Sequence, residues 1–113
     1  MLVEFSIIPL GANTHLSPEI AEALKIIDES GLPYQLTPSA TCIEGGWNEV
    51  MAVIQNCHAR LRQTCPHVIT MIKIEDEEGA KDKLTRNIAS VEEKVGHPLR
   101  RNASSHLLPA RGP

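Results

Sequence analysis

Two groups of side chains in this sequence have types and spacings that bear on chemistry. The first is Cys57, His58, Cys65 and His67, four metal-ligand types close together in the chain. Their spacing matches neither a zinc finger nor a ribbon, and helical neighbours such as 57 and 58 splay apart by about 100°. No metal is therefore expected. The second group is Ser6, Thr37, Thr41 and Glu44, followed by Trp47 just past Gly45-Gly46. A carboxylate, three hydroxyls and an aromatic face could hold a small ligand by hydrogen bonds and stacking. His15 has no acid beside it in a recognisable arrangement, and no Ser-His-Asp, Cys-His or phosphate-loop signature is present. The expectation is a binding protein with no catalytic residue and no cofactor.

Each member of the second group also has a plainer use. Glu44 ends a strand beside a Gly-Gly step that would let backbone approach a ligand closely, or it stabilises the start of the helix that follows. Ser6, Thr37 and Thr41 are ordinary sheet hydroxyls unless a ligand meets them. Trp47, the single tryptophan, is a core residue or a stacking platform. Lys73 pairs with Glu4 or Glu44 across the sheet, or meets a phosphate.

The elements that must position these residues follow from local pattern. Residues 2–9 alternate as a strand, with Val3, Phe5 and Ile7 on one side and Glu4, Ser6 and Ile8 on the other. Ser17-Pro18-Glu19 opens a helix with a hydroxyl cap, proline in its first turn and an early acid. Ile20, Ala23, Leu24 and Ile27 form its apolar stripe, and Gly31-Leu32-Pro33 ends it. Residues 34–37 and 40–44 read as short strands about Pro38-Ser39. A second helix starts near Trp47 and stops before Cys65-Pro66. The β-branched run 68–75 is the fourth strand, and Leu84, Ile88, Val91 and Val95 mark a third helix ending at Gly96. The order β-α-β-β-α-β-α predicts an α+β fold: a ferredoxin-like βαββαβ sandwich, a four-stranded antiparallel sheet with two helices on one face, plus a C-terminal helix. The other face mixes Glu4, Ser6, Gln35, Thr37 and Lys73 with Ile8 and Met71, a composition suited to a partly covered, ligand-holding surface.

At 113 residues the chain is one domain, read as 1–96 with a basic, mobile tail at 97–113. All 14 acidic residues but only 8 of the 11 basic ones lie in 1–96, which leaves that part at −6. Such a charge opposes nucleic-acid binding, which depends on neutralising phosphates. RNA recognition on this sheet would also need exposed aromatics, and only Phe5 is available. Three cysteines, an N-terminus without a basic leader and no long apolar run suggest a cytoplasmic protein with free thiols and no membrane partner.

Four segments, in this order and at these spacings, carry a family likeness: Ser6-Ile7-Ile8-Pro9-Leu10-Gly11, Ser30-Gly31-Leu32-Pro33-Tyr34-Gln35-Leu36-Thr37-Pro38, Thr41-Cys42-Ile43-Glu44-Gly45 and Ile72-Lys73-Ile74-Glu75. Together the chain resembles the thiamine-binding, YkoF-related family of small ferredoxin-like proteins over residues 2–95. Pro33, Cys42 and the basic tail depart from that pattern. The resemblance implies a non-catalytic binder of thiamine or a thiamine-related pyrimidine (hydroxymethylpyrimidine), serving vitamin uptake, salvage or buffering. It also implies a homodimer or homotetramer built sheet to sheet. For such a ligand Glu44 would accept from the exocyclic amine, Ser6, Thr37 and Thr41 would meet ring nitrogens, and Trp47 would stack. The rival readings are a self-associating structural module with no ligand and a small ferredoxin-like enzyme.

Overall fold

The computed structural model describes residues 1–11 and 17–102. Four strands form one antiparallel sheet: β1 (Leu2–Leu10), β2 (Tyr34–Leu36), β3 (Thr41–Glu44) and β4 (His67–Glu75), in the spatial order β2-β3-β1-β4. Helices α1 (Ser17–Glu29) and α2 (Trp47–Arg62) are the crossovers, and α3 (Lys83–Val95) follows β4. The predicted ferredoxin-like α+β sandwich is the observed one, with its third helix. His15 and the tail beyond Asn102 lie outside the described residues.

Strand alternation decides the core. Val3, Phe5 and Ile43 bury one face of the sheet against Ala23 and Ile27 of α1 and Val50, Ile54, Cys57 and Leu61 of α2. Aliphatic side chains dominate, as the scarcity of aromatics requires. The joint after α1 is held by side chain and backbone together. Ser30 Oγ donates to the Ile27 carbonyl at 2.6 Å and accepts from the Leu32 amide at 3.1 Å, while Gly31 takes φ +75°. The Tyr34 hydroxyl then donates to Asp28 Oδ1 at 2.8 Å, tying the edge strand β2 to the end of α1.

The pairing lengths are unequal. β1 meets β4 along its whole length, from Leu2↔Glu75 to Leu10↔His67. Against β3 it pairs only from Leu2↔Glu44 to Phe5↔Thr41. Proline was expected to end β1 at position 9, yet the strand runs to Leu10. The reason is this inequality: among the described residues no strand pairs with β1 beyond Phe5 on the β3 side, so a missing N–H at Pro9 can face that side without loss.

Helix α3 is fastened differently from the other two. None of its residues is fully buried. Asp82, at its N-cap position, sits in the left-handed region (φ 55°, ψ 37°) and makes no side-chain cap bond. The cap comes instead from β3: Glu44 Oε2 accepts from the Lys83 amide at 2.7 Å and Oε1 from the Leu84 amide at 3.0 Å. Lys83 Nζ adds an ion pair to Glu77 at 2.7 Å, and Asn87 donates to Glu75 at 3.1 Å. At the far end Gly96 closes α3 at φ +93°, and Glu92 takes the Leu99 amide at 2.6 Å and the Arg101 guanidinium. The first residues of the basic tail are thus tied back to the helix.

Two stability outcomes follow. Ile43→Ala, at a fully buried position beside Val3, should lower unfolding free energy by about 2–5 kcal/mol in a urea titration. Glu44→Ala should cost about 1–2 kcal/mol. In hydrogen exchange it should raise the rates of amides 83–86 while the core amides of β1 and β3 keep their protection.

Candidate functional site

A cavity of about 530 Å³ opens where β1 runs on beyond its last β3 partner. Its floor is Phe5, Ser6 and Ile7, one wall is Ile20, Leu24 and Ile27 of α1, and its rim is the β2–β3 turn from Leu36 to Thr41. The volume lies within the ~300–1,000 Å³ of small-molecule sites. The lining is apolar on the helix side and carries hydroxyls at the turn, with no charged side chain among the described residues.

Three of the five predicted site residues meet here. Thr41 stands opposite Phe5 and is only 7% exposed, so it faces the helix layer and not the open sheet face. Thr37 falls one residue past β2. Its hydroxyl donates to the Ala40 carbonyl at 2.8 Å and accepts from the Ala40 amide at 3.1 Å, stapling the turn that makes the rim. A hydroxyl has one proton, so Thr37 keeps only an acceptor lone pair for a ligand. Ser6, opposite Met71 on β4, lines this cavity and also a smaller one of about 210 Å³ on the open face, beside Glu4, Met71 and Lys73.

Glu44 and Trp47 are not with them. Glu44 is three register steps from Thr41 along β3, about 10 Å away by strand geometry. Both its carboxylate oxygens are engaged at the start of α3, and not at the second helix, where the alternative use was expected. The space above Gly45 is filled as well: a Cβ there would come within 3.2 Å of Val50 and 3.3 Å of Leu32, so this glycine serves packing. Trp47 is 57% exposed at the first position of α2 and lines neither cavity. A core place was the ordinary expectation for it, but the buried stripe of α2 begins one turn later, at Val50. Lys73 lies directly opposite Glu4, the nearer of its two expected partners.

Sequence reasoning missed the part played by α1 and α2. Ile20 and Leu24 read as core stripe, yet they wall the cavity, and Cys57 reaches it from α2. The available signal was the alternation that sends Phe5 and Ile7 toward the helices, because a cavity beside them must be helix-lined. Cys57 Sγ donates to the Ala23 carbonyl at 3.4 Å, and burial pushes its thiol up to about 11. A thiol so placed is inert at neutral pH. His58 turns the other way, its Nδ1 sharing a 2.5 Å hydrogen bond with Thr70 Oγ1 on β4. Among the described residues no three Cys, His, Asp or Glu side chains converge on a metal position. No helix among them is long and apolar enough to cross a membrane.

Residues 3–92 match the sequence profile of a family described as thiamine-binding protein. A UPF0045 protein of Mycobacterium tuberculosis is 36% identical over 99 residues, which span 87% of this chain and 97% of the relative. The UPF0045 protein YqgV of Bacillus subtilis is 36% identical over 96 residues, 80% of this chain and 92% of its own. Among solved structures, a protein of Methanocaldococcus jannaschii superposes with TM-score 0.74 at 22% identity, covering 81% of this chain and 95% of that one. A Thermotoga maritima protein provisionally assigned to thiamine biosynthesis or salvage gives 0.64 at 24% identity, covering 84% and 94%. At these identities the two structures speak for the fold.

The cysteines give a direct check on the geometry. In the folded protein at mildly alkaline pH, iodoacetamide should modify half-exposed Cys42 and leave buried Cys57 and Cys65 untouched. Peptide mass spectrometry should find all three labelled only after unfolding.

Proposed function

The chain belongs to the thiamine-binding protein family, and on that premise we propose that it is a non-catalytic binder of thiamine or its hydroxymethylpyrimidine half, held in the cavity between α1 and the β2–β3 turn. The observation that carries the reading is the lining: apolar side chains on the helix side for a ring face, hydroxyls and unpaired β1 backbone along one rim. Thr41 and the unpaired edge of β1 at Ile7, next to Ser6, are the polar contacts in this reading, and Thr37 both shapes the rim and offers a lone pair. Glu44 has no part in it, because its carboxylate is committed to α3. Trp47 has none either, standing clear of the cavity. A lining without charge favours the neutral pyrimidine over any phosphorylated form, since a buried phosphate without a cationic partner is strongly disfavoured. The biological setting that fits is uptake, salvage or buffering of the vitamin in the cytoplasm by a homo-oligomer.

A second reading has its own observation. The apolar side chains left exposed on β4 favour self-association, and a module that only self-associates would need no ligand.

Calorimetric titration with hydroxymethylpyrimidine, thiamine and thiamine diphosphate separates the two. Stoichiometric binding is expected for the first two, tightest for the pyrimidine, with little heat from the diphosphate. Thr41→Val should weaken binding by about 1 kcal/mol through one lost hydrogen bond. Ile20→Trp, at a half-exposed position on the cavity wall, should abolish it with the fold intact by circular dichroism. Glu44→Gln should leave affinity unchanged. No heat with any of the three ligands from folded protein assigns the chain to the self-association reading.

A further inference from the structure

The cavity has two walls that belong to different elements. One is α1, with Ile20, Leu24 and Ile27, and the other is the hairpin from Leu36 through the turn to Thr41. Tyr34 pairs with Ile43 and Leu36 with Thr41, so alternation puts Tyr34 and Leu36 on the helix side of the sheet. From there the Tyr34 hydroxyl crosses to Asp28 Oδ1 at 2.8 Å. Among the described residues no other side-chain hydrogen bond or ion pair joins α1 to the hairpin. Both partners adjoin the lining, since Asp28 follows Ile27 and Tyr34 lies two residues before Leu36.

Beyond this bond nothing of the kind holds the walls together. Helix α1 reaches back eight residues from Asp28 to Ile20, about 12 Å along its axis. Ile20 and Leu36 are 45% and 59% exposed although both line the cavity, so they flank its mouth. Strand β2 cannot fix their separation by itself: it is an edge strand of three residues, all exposed, paired on one side only. The Thr37 bonds to Ala40 stiffen the turn internally and do not tie it to α1. The bond to the carboxylate pushes the pKa of the Tyr34 hydroxyl above its ordinary value, so the phenol stays a donor at neutral and mildly alkaline pH.

We propose that Tyr34 and Asp28 are positioning residues for the cavity: their bond sets the distance between α1 and the hairpin, and so controls entry to the site and retention of its ligand. Neither residue lines the cavity, so the pair acts through the walls and not by contact. Its part in binding rests on the cavity being the ligand site proposed above. The gate itself is legible without a ligand, because the cavity contains its own reporter. Cys57 lines the cavity and is fully buried, so in the folded protein a reagent reaches it through the mouth. Cys65 is as deeply buried but lines no part of the cavity, and it reports general loosening instead.

Iodoacetamide labelling of the folded protein in a Cys42→Ser background tests this, with peptide mass spectrometry following Cys57 and Cys65 separately. Tyr34→Phe should raise the slow Cys57 rate by about fivefold, the effect of one net hydrogen bond, and leave Cys65 unchanged. Asp28→Ala should match it, and the double variant should go no further, because both changes remove the same bond. Asp28→Asn, which keeps an acceptor oxygen, should hold the Cys57 rate of its parent. In calorimetry Tyr34→Phe should bind hydroxymethylpyrimidine more weakly by a similar factor. Equal Cys57 rates with and without the Tyr34 hydroxyl overturn the gate, and so does a joint rise of Cys57 and Cys65. A selective rise at Cys57 in a protein that binds no ligand leaves the gate standing and removes the ligand reading.

Discussion

β1 bonds to β4 over nine residues and to β3 over four, and the rest of the molecule depends on that inequality. Backbone pairing is obligatory inside a protein, so a central strand that outruns one neighbour must either meet water, meet another group or border a space. Here it borders the space between α1 and the β2–β3 turn. The same long pairing carries one end of β4 beyond the helix layer, where Ile72 and Ile74 stay exposed although they stand opposite the buried Phe5 and Val3. One register therefore produces both the cavity on one side of β1 and the bare strand on the other.

The polar groups divide into those that build the frame and those left for a ligand. Glu44, Thr37, Ser30 and Tyr34 each satisfy backbone or side-chain partners at a joint between elements. A half-buried carboxylate receiving two helix amides is a strong, charge-assisted arrangement, and it leaves little over for a small molecule. Thr41 and the β1 edge are the polar groups not used in this way, and they lie together.

Local chemistry made most of the frame legible in the sequence. The Ser17-Pro18-Glu19 start, the Gly31 and Gly96 stops, the alternation of Val3 and Phe5, and the β-branched run of β4 all act within a few residues, and the elements fall where those signals put them. The site was less legible because its determinants are long-range. Nothing near Glu44 tells that its partners are 39 and 40 residues further on. Trp47 has the spacing of the α2 stripe, yet it precedes the part of that helix that meets the sheet. Thr37 reads as a strand residue because it precedes Pro38, and the residue before a proline favours extended backbone, although the turn itself was marked by Pro38-Ser39. The placing of Thr41 on the helix side follows only from its pairing with Phe5, which is a fact of register and not of periodicity.

The Glu44 clamp also orders events in time. A helix capped by its own preceding residue can close its first turn as soon as that residue exists, whereas α3 waits for a carboxylate from a strand formed much earlier in the chain. Asp82, bent into the left-handed region, cannot supply the cap itself. Closing the loop from 44 to 83 carries an entropic cost that only a formed sheet can offset. The C-terminal helix is consequently the last element to become firm during folding and the first to loosen during unfolding, with β3 as the template on which it settles.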